Sequence, residues 1–312
     1  MICNVSNLFL SVTAISPLSV QKEVSDCLRK KNMNELIKAA QVGNSVRIRA
    51  LLAAKADIEA RNRHGNTALL AAISKGFIQC VRLLVDSGAD IHVTDRKGNN
   101  ALHLAAYHGH KLCLRKLLDS KAEIMAENKV GDSALALAAE RGHAECVRML
   151  LNAKAEIDAA NEGGDTALLV AASYGRTACV ELLLDAKSSI NHANRDGDTA
   201  LLLAARYGKH ACVERLLDAK AGADTKNHKG DSALLLAAQP GNSDCVRLLL
   251  NSNSDVNSLG KDGETAVMLA TALGHTACLQ MLLDFKADIE IKDELGETAL
   301  LVAVQEGNAE CL

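Results

Sequence analysis

The sequence contains no Trp, only three Tyr and three Phe, and just two Pro among 312 residues, although 48% of it is hydrophobic. Its apolar content is therefore small and aliphatic, which argues against one thick aromatic-centred core and for many thin layers of Ala and Leu. Excess charge of either sign is also missing: 23% of residues are charged and the formal net charge is -3. That balance excludes compositional disorder and the net basic surface that strong non-specific nucleic-acid binding requires. No run approaches the roughly 18 to 20 consecutive apolar residues that would span a bilayer. Ten cysteines would signal a disulfide scaffold in a short secreted chain, but not in one this long.

What is present is periodicity. Cys80, Cys113, Cys146, Cys179, Cys212, Cys245, Cys278 and Cys311 follow one another at steps of 33 residues, with only Cys3 and Cys27 outside the ladder. Two glycine ladders share the period, one running from Gly65 to Gly296 and the other from Gly43 to Gly307. A fixed period in the range of about 20 to 50 residues means stacked units, each too small to bury its own apolar face. Within the unit Asn194 to Gly208, Asn194 and Gly197 give a tight turn, Thr199 is a natural N-cap, and the Ala/Leu-rich helix that follows is closed by Gly208. The next segment puts Cys212, Val213, Leu216 and Leu217 on one stripe of a second amphipathic helix. Each unit is thus a turn and two short antiparallel helices.

This unit resembles the ankyrin repeat, whose first helix opens with T-P-L-H-x-A. The matching segments begin at Thr67, Asn100, Ser133, Thr166, Thr199, Ser232, Thr265 and Thr298, and later family elements stand at Gly142-His143 and Ala287-Asp288-Ile289. The resemblance covers residues 29–312 and implies an all-α ankyrin-repeat solenoid of antiparallel helix pairs with β-turn or hairpin fingers. It departs from the family pattern in having Ala for Pro in every copy and the family His only at His103. After the second helix the family Gly survives at Gly88, whereas Lys55, Lys121, Lys154, Lys187, Lys220 and Lys286 replace it and Asn253 compromises. If the left-handed backbone is kept there, each Lys costs on the order of 1 kcal/mol.

The expected organisation is a non-repeat leader at 1–28, then repeats at 29–61, 62–94, 95–127, 128–160, 161–193, 194–226, 227–259 and 260–292, with a truncated repeat at 293–312. Repeat 29–61 reads as an N-terminal cap, because it carries Arg47 where later units carry Cys. No such cap is expected at the other end, where apolar surface of the eighth unit would be left uncovered, as in a fragment of a longer protein. In the leader, Leu8 to Ile15 is apolar without a preceding Lys or Arg, a poor secretory signal. Ala223 stands where other units have Ile or Val, and Pro240 falls in the last turn of a first helix, so 210–245 is the expected opening point.

Equivalent helices in adjacent units pack about 8 to 10 Å apart, too far for the Cys ladder to form disulfides or zinc sites. It reads as core packing, and eight free thiols fit a reducing compartment, cytoplasmic or nuclear rather than secreted. His103, His108 and His110 read as a structural His and two helix-end residues rather than a metal site. Nothing reads as a catalytic, cofactor or metal centre, because nearly every polar residue is explained by its phase. Ankyrin arrays contact partner proteins through turn tips and the exposed end of the first helix. Carried over position by position, that implies partner contacts at Tyr107, His108, Arg141, Tyr174, Arg206 and Tyr207. These include all three tyrosines of the chain, and Tyr and Arg are frequent hot spots. The residues after the turn glycines, Asn66 and Asn99, then Asp132, Asp165, Asp198, Asp231, Glu264 and Glu297, form a row that is acidic from Asp132 on, with Lys129, Arg195 and Lys261 expected to offset part of it. Asp165 and Asp198 join the candidate contacts, the row being read as a solvated structural row first and an acidic groove for a basic partner second. The expected function is a non-enzymatic protein-binding scaffold, monomeric apart from its uncapped end. The alternative is a regulatory or targeting array of a larger enzyme or channel.

Overall fold

The computed structural model describes residues 35–311. The expected leader at 1–28, with Cys3, Cys27 and the apolar stretch Leu8 to Ile15, lies outside them. The chain divides into two compact units, residues 1–96 and 97–312. Among the described residues there are seventeen α-helices, and β-structure is confined to isolated antiparallel bridges such as Glu127 to Ser133 and Ala193 to Thr199.

In the first unit a helix over 35–41 (α1) is followed by α2 (Ser45–Ala53), α3 (Ala68–Ser74) and α4 (Ile78–Asp86). Arg47 is exposed on α2 and forms an ion pair with Glu35 at the start of α1. Arg47 thus stands exposed at the phase that the buried cysteines from Cys80 to Cys278 hold in later repeats.

The second unit continues the pattern as helix pairs: α5 (Ala101–Tyr107) and α6 (Lys111–Asp119), α7 (Ala134–Arg141) and α8 (Ala144–Asn152), α9 (Ala167–Ser173) and α10 (Thr177–Asp185). Then come α11 (Ala200–Arg206) and α12 (His210–Asp218), α13 (Ala233–Ala238) and α14 (Ser243–Asn251), α15 (Ala266–Ala272) and α16 (Thr276–Asp284), and finally α17 (Ala299–Glu306). Six- to nine-residue helices do not persist alone in water, so their stability comes from stacking. The first helix of each pair is accordingly buried almost all round: in α11, Ala200 to Ala205 are all buried. Each buried Leu contributes about 1.5–3 kcal/mol relative to exposure.

Local chemistry sets the helix ends. Thr67, Ser133, Thr199, Ser232 and Thr265 accept the backbone N–H three residues on, satisfying one orphan donor each. His103 completes a reciprocal capping box with Asn100 and reaches the Asp132 carbonyl of the next repeat at 3.1 Å. The lysines after the second helices do sit in the left-handed region, from φ 56° at Lys55 to 69° at Lys187, as does Gly88 at 86°. Pro240 ends α13 at Ala238, one residue earlier than in the neighbouring repeats, because its nitrogen cannot donate to the preceding turn.

Two expectations are corrected. Leu217 is only half-buried, while Cys212, Val213 and Leu216 are fully buried, because a residue five positions on lies at the edge of the helical stripe. Ala223 occupies a position that is half-buried in the other repeats too, Ile124, Ile157 and Ile190 included, so its missing methyl groups forfeit less than a full core side chain. Exposed apolar side chains lie both in repeat 260–292, with Leu283 and Phe285 41% and 42% exposed, and on α17, with Leu300 and Leu301 62% and 49% exposed, whereas Leu279 and Leu282 of α16 are buried.

Candidate functional site

In the second unit the turns of successive repeats are tied together by an asparagine ladder. Asn128 Nδ2 donates to Asn99 Oδ1 at 3.0 Å, Asn161 to Asp132 at 2.9 Å, Asn194 to Asp165 at 2.8 Å and Asn227 to Asp198 at 2.9 Å. Each of these asparagines meanwhile accepts two backbone N–H groups of its own turn through Oδ1, as Asn194 does from Asp196 and Asp198. Three members of the acidic row, Asp132, Asp165 and Asp198, are therefore anchored by neutral amides from the next repeat. Among the described residues no ion pair joins Lys129, Arg195 or Lys261 to it.

A second ladder closes the other end of the first helices. In several repeats the residue after the inter-helix glycine reaches back to carbonyls at the end of the preceding first helix: His143 Nε2 to Tyr107 at 3.1 Å, Arg176 Nε to Glu140 at 2.9 Å, and Asn242 Nδ2 to Ala205 at 3.0 Å. Helix C-termini present carbonyls without intrahelical donors and a partial negative charge, so donors there stabilise. The glycine beneath must stay glycine: at Gly109, φ is 70° and a Cβ would lie 2.5 Å from His143 Nδ1.

Between the two ladders lies a cleft of about 660 Å³, floored by Leu137, Leu169, Val170 and Leu203 of α7, α9 and α11. One wall carries Asp132, Asp165, Asp196 and Asp198 of the turns, the other Glu140, Tyr174, Arg206 and Tyr207 at the helix ends, with Lys209 just beyond. Arg206 donates to Asp198 through both terminal nitrogens, at 2.6 and 3.0 Å, a bidentate geometry. Burial pushes the Glu140 carboxyl up, and the neighbouring Asp132 charge adds to the shift against the opposing pull of Arg176.

The structure brings five of the eight predicted contacts together here: Asp165, Tyr174, Asp198, Arg206 and Tyr207. Tyr174 and Tyr207 are 53% and 54% exposed. Asp198 is 2% exposed, and its oxygens are taken by Arg206 and Asn227. That corrects its expected role as an exposed contact, since it now holds Arg206 in place. Tyr107, His108 and Arg141 form a separate cluster outside the cleft lining, with the Arg141 guanidinium 4.1 Å from the Tyr107 ring centroid and the His108 ring edge-on to it. Sequence reasoning left the Asn ladder out of the site. Its signal was present, an Asn three residues before each of Gly131, Gly164, Gly197 and Gly230, but the partners lie about thirty residues away.

Cys80 to Cys278 are all buried and free, and burial pushes the thiols of Cys113, Cys146, Cys179 and Cys245 up to about 11. Among the described residues no group of three or more His, Cys, Asp or Glu could hold a metal ion, and no helix is long and apolar enough to cross a membrane.

A family model described as ankyrin repeats (3 copies) matches residues 18–95, 36–128, 102–194, 186–259 and 234–312. Among curated proteins, none matches the chain.

Proposed function

The chain belongs to the ankyrin repeat family, and from that premise we propose that it is a non-enzymatic scaffold that binds a partner protein along the cleft of its second unit. The observation that carries this reading is the pair of half-exposed tyrosines, Tyr174 and Tyr207, at equivalent positions of adjacent repeats over an apolar floor. Rings held on short helices bring large contact area at little entropic cost, which is what hot spots require. Arg206 is fixed between them by Asp198, so its guanidinium edge is preorganised. The Tyr107, His108 and Arg141 cluster extends the contact surface toward the start of the unit.

The test is affinity purification from the source cells with the wild-type chain and with a Tyr107→Ala, Tyr174→Ala, Tyr207→Ala variant whose fold is checked by circular dichroism. The proposal expects a protein retained by the wild type and lost from the variant. Equal retention of every captured protein by the two would sink it.

A further inference from the structure

Cation, carboxylate and tyrosine ring already meet once inside this protein. The Arg141 guanidinium lies over the Tyr107 ring, and its Nε stands 3.4 Å from the Glu140 carboxylate. One and two repeats after Arg141, the phase of that arginine carries Tyr174 and Tyr207, both exposed, and among the described residues no cation lies over either ring. The cleft beside them is lined by five carboxylates and two bases. Arg206 and Asp198 cancel one another, and the Lys209 stem lies over Gly175. Asp132, Glu140, Asp165 and Asp196 are left facing the cleft without a basic side chain bound to them, apart from the Arg141 Nε that touches Glu140 from outside the lining. Asn161 and Asn194 each occupy one oxygen of Asp132 and Asp165 as neutral donors, leaving their charges in place.

We infer that the cleft takes an arginine-bearing segment of the partner protein, a guanidinium laid on the ring of Tyr174 or Tyr207 and its N–H groups donating to Asp165 and Glu140. This rests on the cleft-binding reading above and names the chemistry of its partner. Arginine fits better than lysine because its planar fork stacks on a ring face while pairing with a carboxylate beside it, whereas an ammonium is a compact, strongly hydrated point charge. An acidic segment would meet uncompensated like charge. The raised Glu140 carboxyl is the expected mark of a site that a cation would relieve.

The probes are fluorescein-labelled decapeptides of alternating Arg and Ala, Lys and Ala, and Glu and Ala, titrated with the full chain by fluorescence anisotropy in 50 mM NaCl. The arginine peptide is expected to bind tighter than the lysine peptide, and the glutamate peptide not at all. Glu140→Gln with Asp165→Asn, which keeps the Asn194 hydrogen bond, is expected to weaken arginine-peptide binding about tenfold. Tyr174→Ala with Tyr207→Ala is expected to do the same, and Tyr174→Phe with Tyr207→Phe to restore most of the affinity. Asp185→Asn, an exposed acid on α10 outside the cleft lining, is expected to leave binding unchanged. The inference is overturned if the arginine peptide binds no tighter than the glutamate peptide, or binds equally well to both cleft variants. If the arginine peptide fails while a purified partner is still lost from the tyrosine variant, the arginine specificity falls and the cleft reading stands. If captured partners are all indifferent to the tyrosines, both fall.

Discussion

Replacing Lys154 by Gly should stabilise the array, although it removes a side chain of four carbons and a charge. Lys154 adopts φ 68° immediately after α8, where an L-residue's Cβ crowds the following carbonyl at a cost of about 1–2 kcal/mol. Its side chain is exposed and makes no hydrogen bond or ion pair, so little is lost with it. At Gly88, the one repeat with glycine in this phase, a Cβ would meet nothing within 4 Å, so the cost there is torsional and not steric. Glycine gives back about 0.5–1 kcal/mol through its freer unfolded chain, leaving a net gain of about 0.5–1 kcal/mol. With a urea slope of about 2–3 kcal/mol per molar, the midpoint should rise by roughly 0.2–0.4 M. Lys121→Gly, Lys154→Gly, Lys187→Gly and Lys220→Gly together should add, since the positions share no partners, to about 2–4 kcal/mol. Lys154→Ala is the control, because alanine keeps the offending Cβ. An unchanged midpoint for Lys154→Gly, or an equal rise for Lys154→Ala, would refute the torsional argument.

Three further outcomes follow from the same geometry. Asp198→Ala leaves the half-buried Arg206 guanidinium and the Asn227 amide without their acceptor, and should cost about 2–4 kcal/mol by urea denaturation; a loss within about 0.5 kcal/mol would show that the pair is replaceable by water. The His143 imidazole is pushed down by burial first, then by His110, Arg141 and Arg176, so the folded state holds fewer protons there than the unfolded one. Stability is therefore full above the unfolded value near 6.5 and declines as pH falls below it, and His143→Asn, copying Asn242, should flatten that part of the profile. Stability curves that stay parallel between pH 7 and 5 would contradict this. Finally, among the described cysteines only Cys311 is not fully buried, so a thiol reagent acting on the native protein should lose one fast-reacting group in Cys311→Ser, while Cys146→Ser leaves the fast count unchanged.

Turns and caps were legible because they are local: Thr199 caps three residues on, Gly208 closes its own helix, and a 33-residue ladder fixes the phase of everything between. The lysine strain was legible for the same reason, since Gly88 marked what the phase demands. The site was only partly legible. Phase put Tyr174, Arg206 and Tyr207 at helix ends, but the sequence does not say that Arg206 turns back eight residues to Asp198, nor that the acidic row is tied to asparagines of the next repeat. Those depend on which side chains stack when one repeat covers another. Ala223 was over-weighted because pattern distinguishes apolar from polar positions but not a buried position from a half-buried one.

Cross-linking tests the central claim most directly. A photoreactive p-benzoylphenylalanine is placed in turn at positions 174, 207 and 185 of the full chain, and each variant is irradiated with the partner that the wild type retains. Binding in the cleft predicts covalent adducts from 174 and 207 and none from 185, on the outer helix. Adducts from 185 with none from 174 or 207 would contradict it.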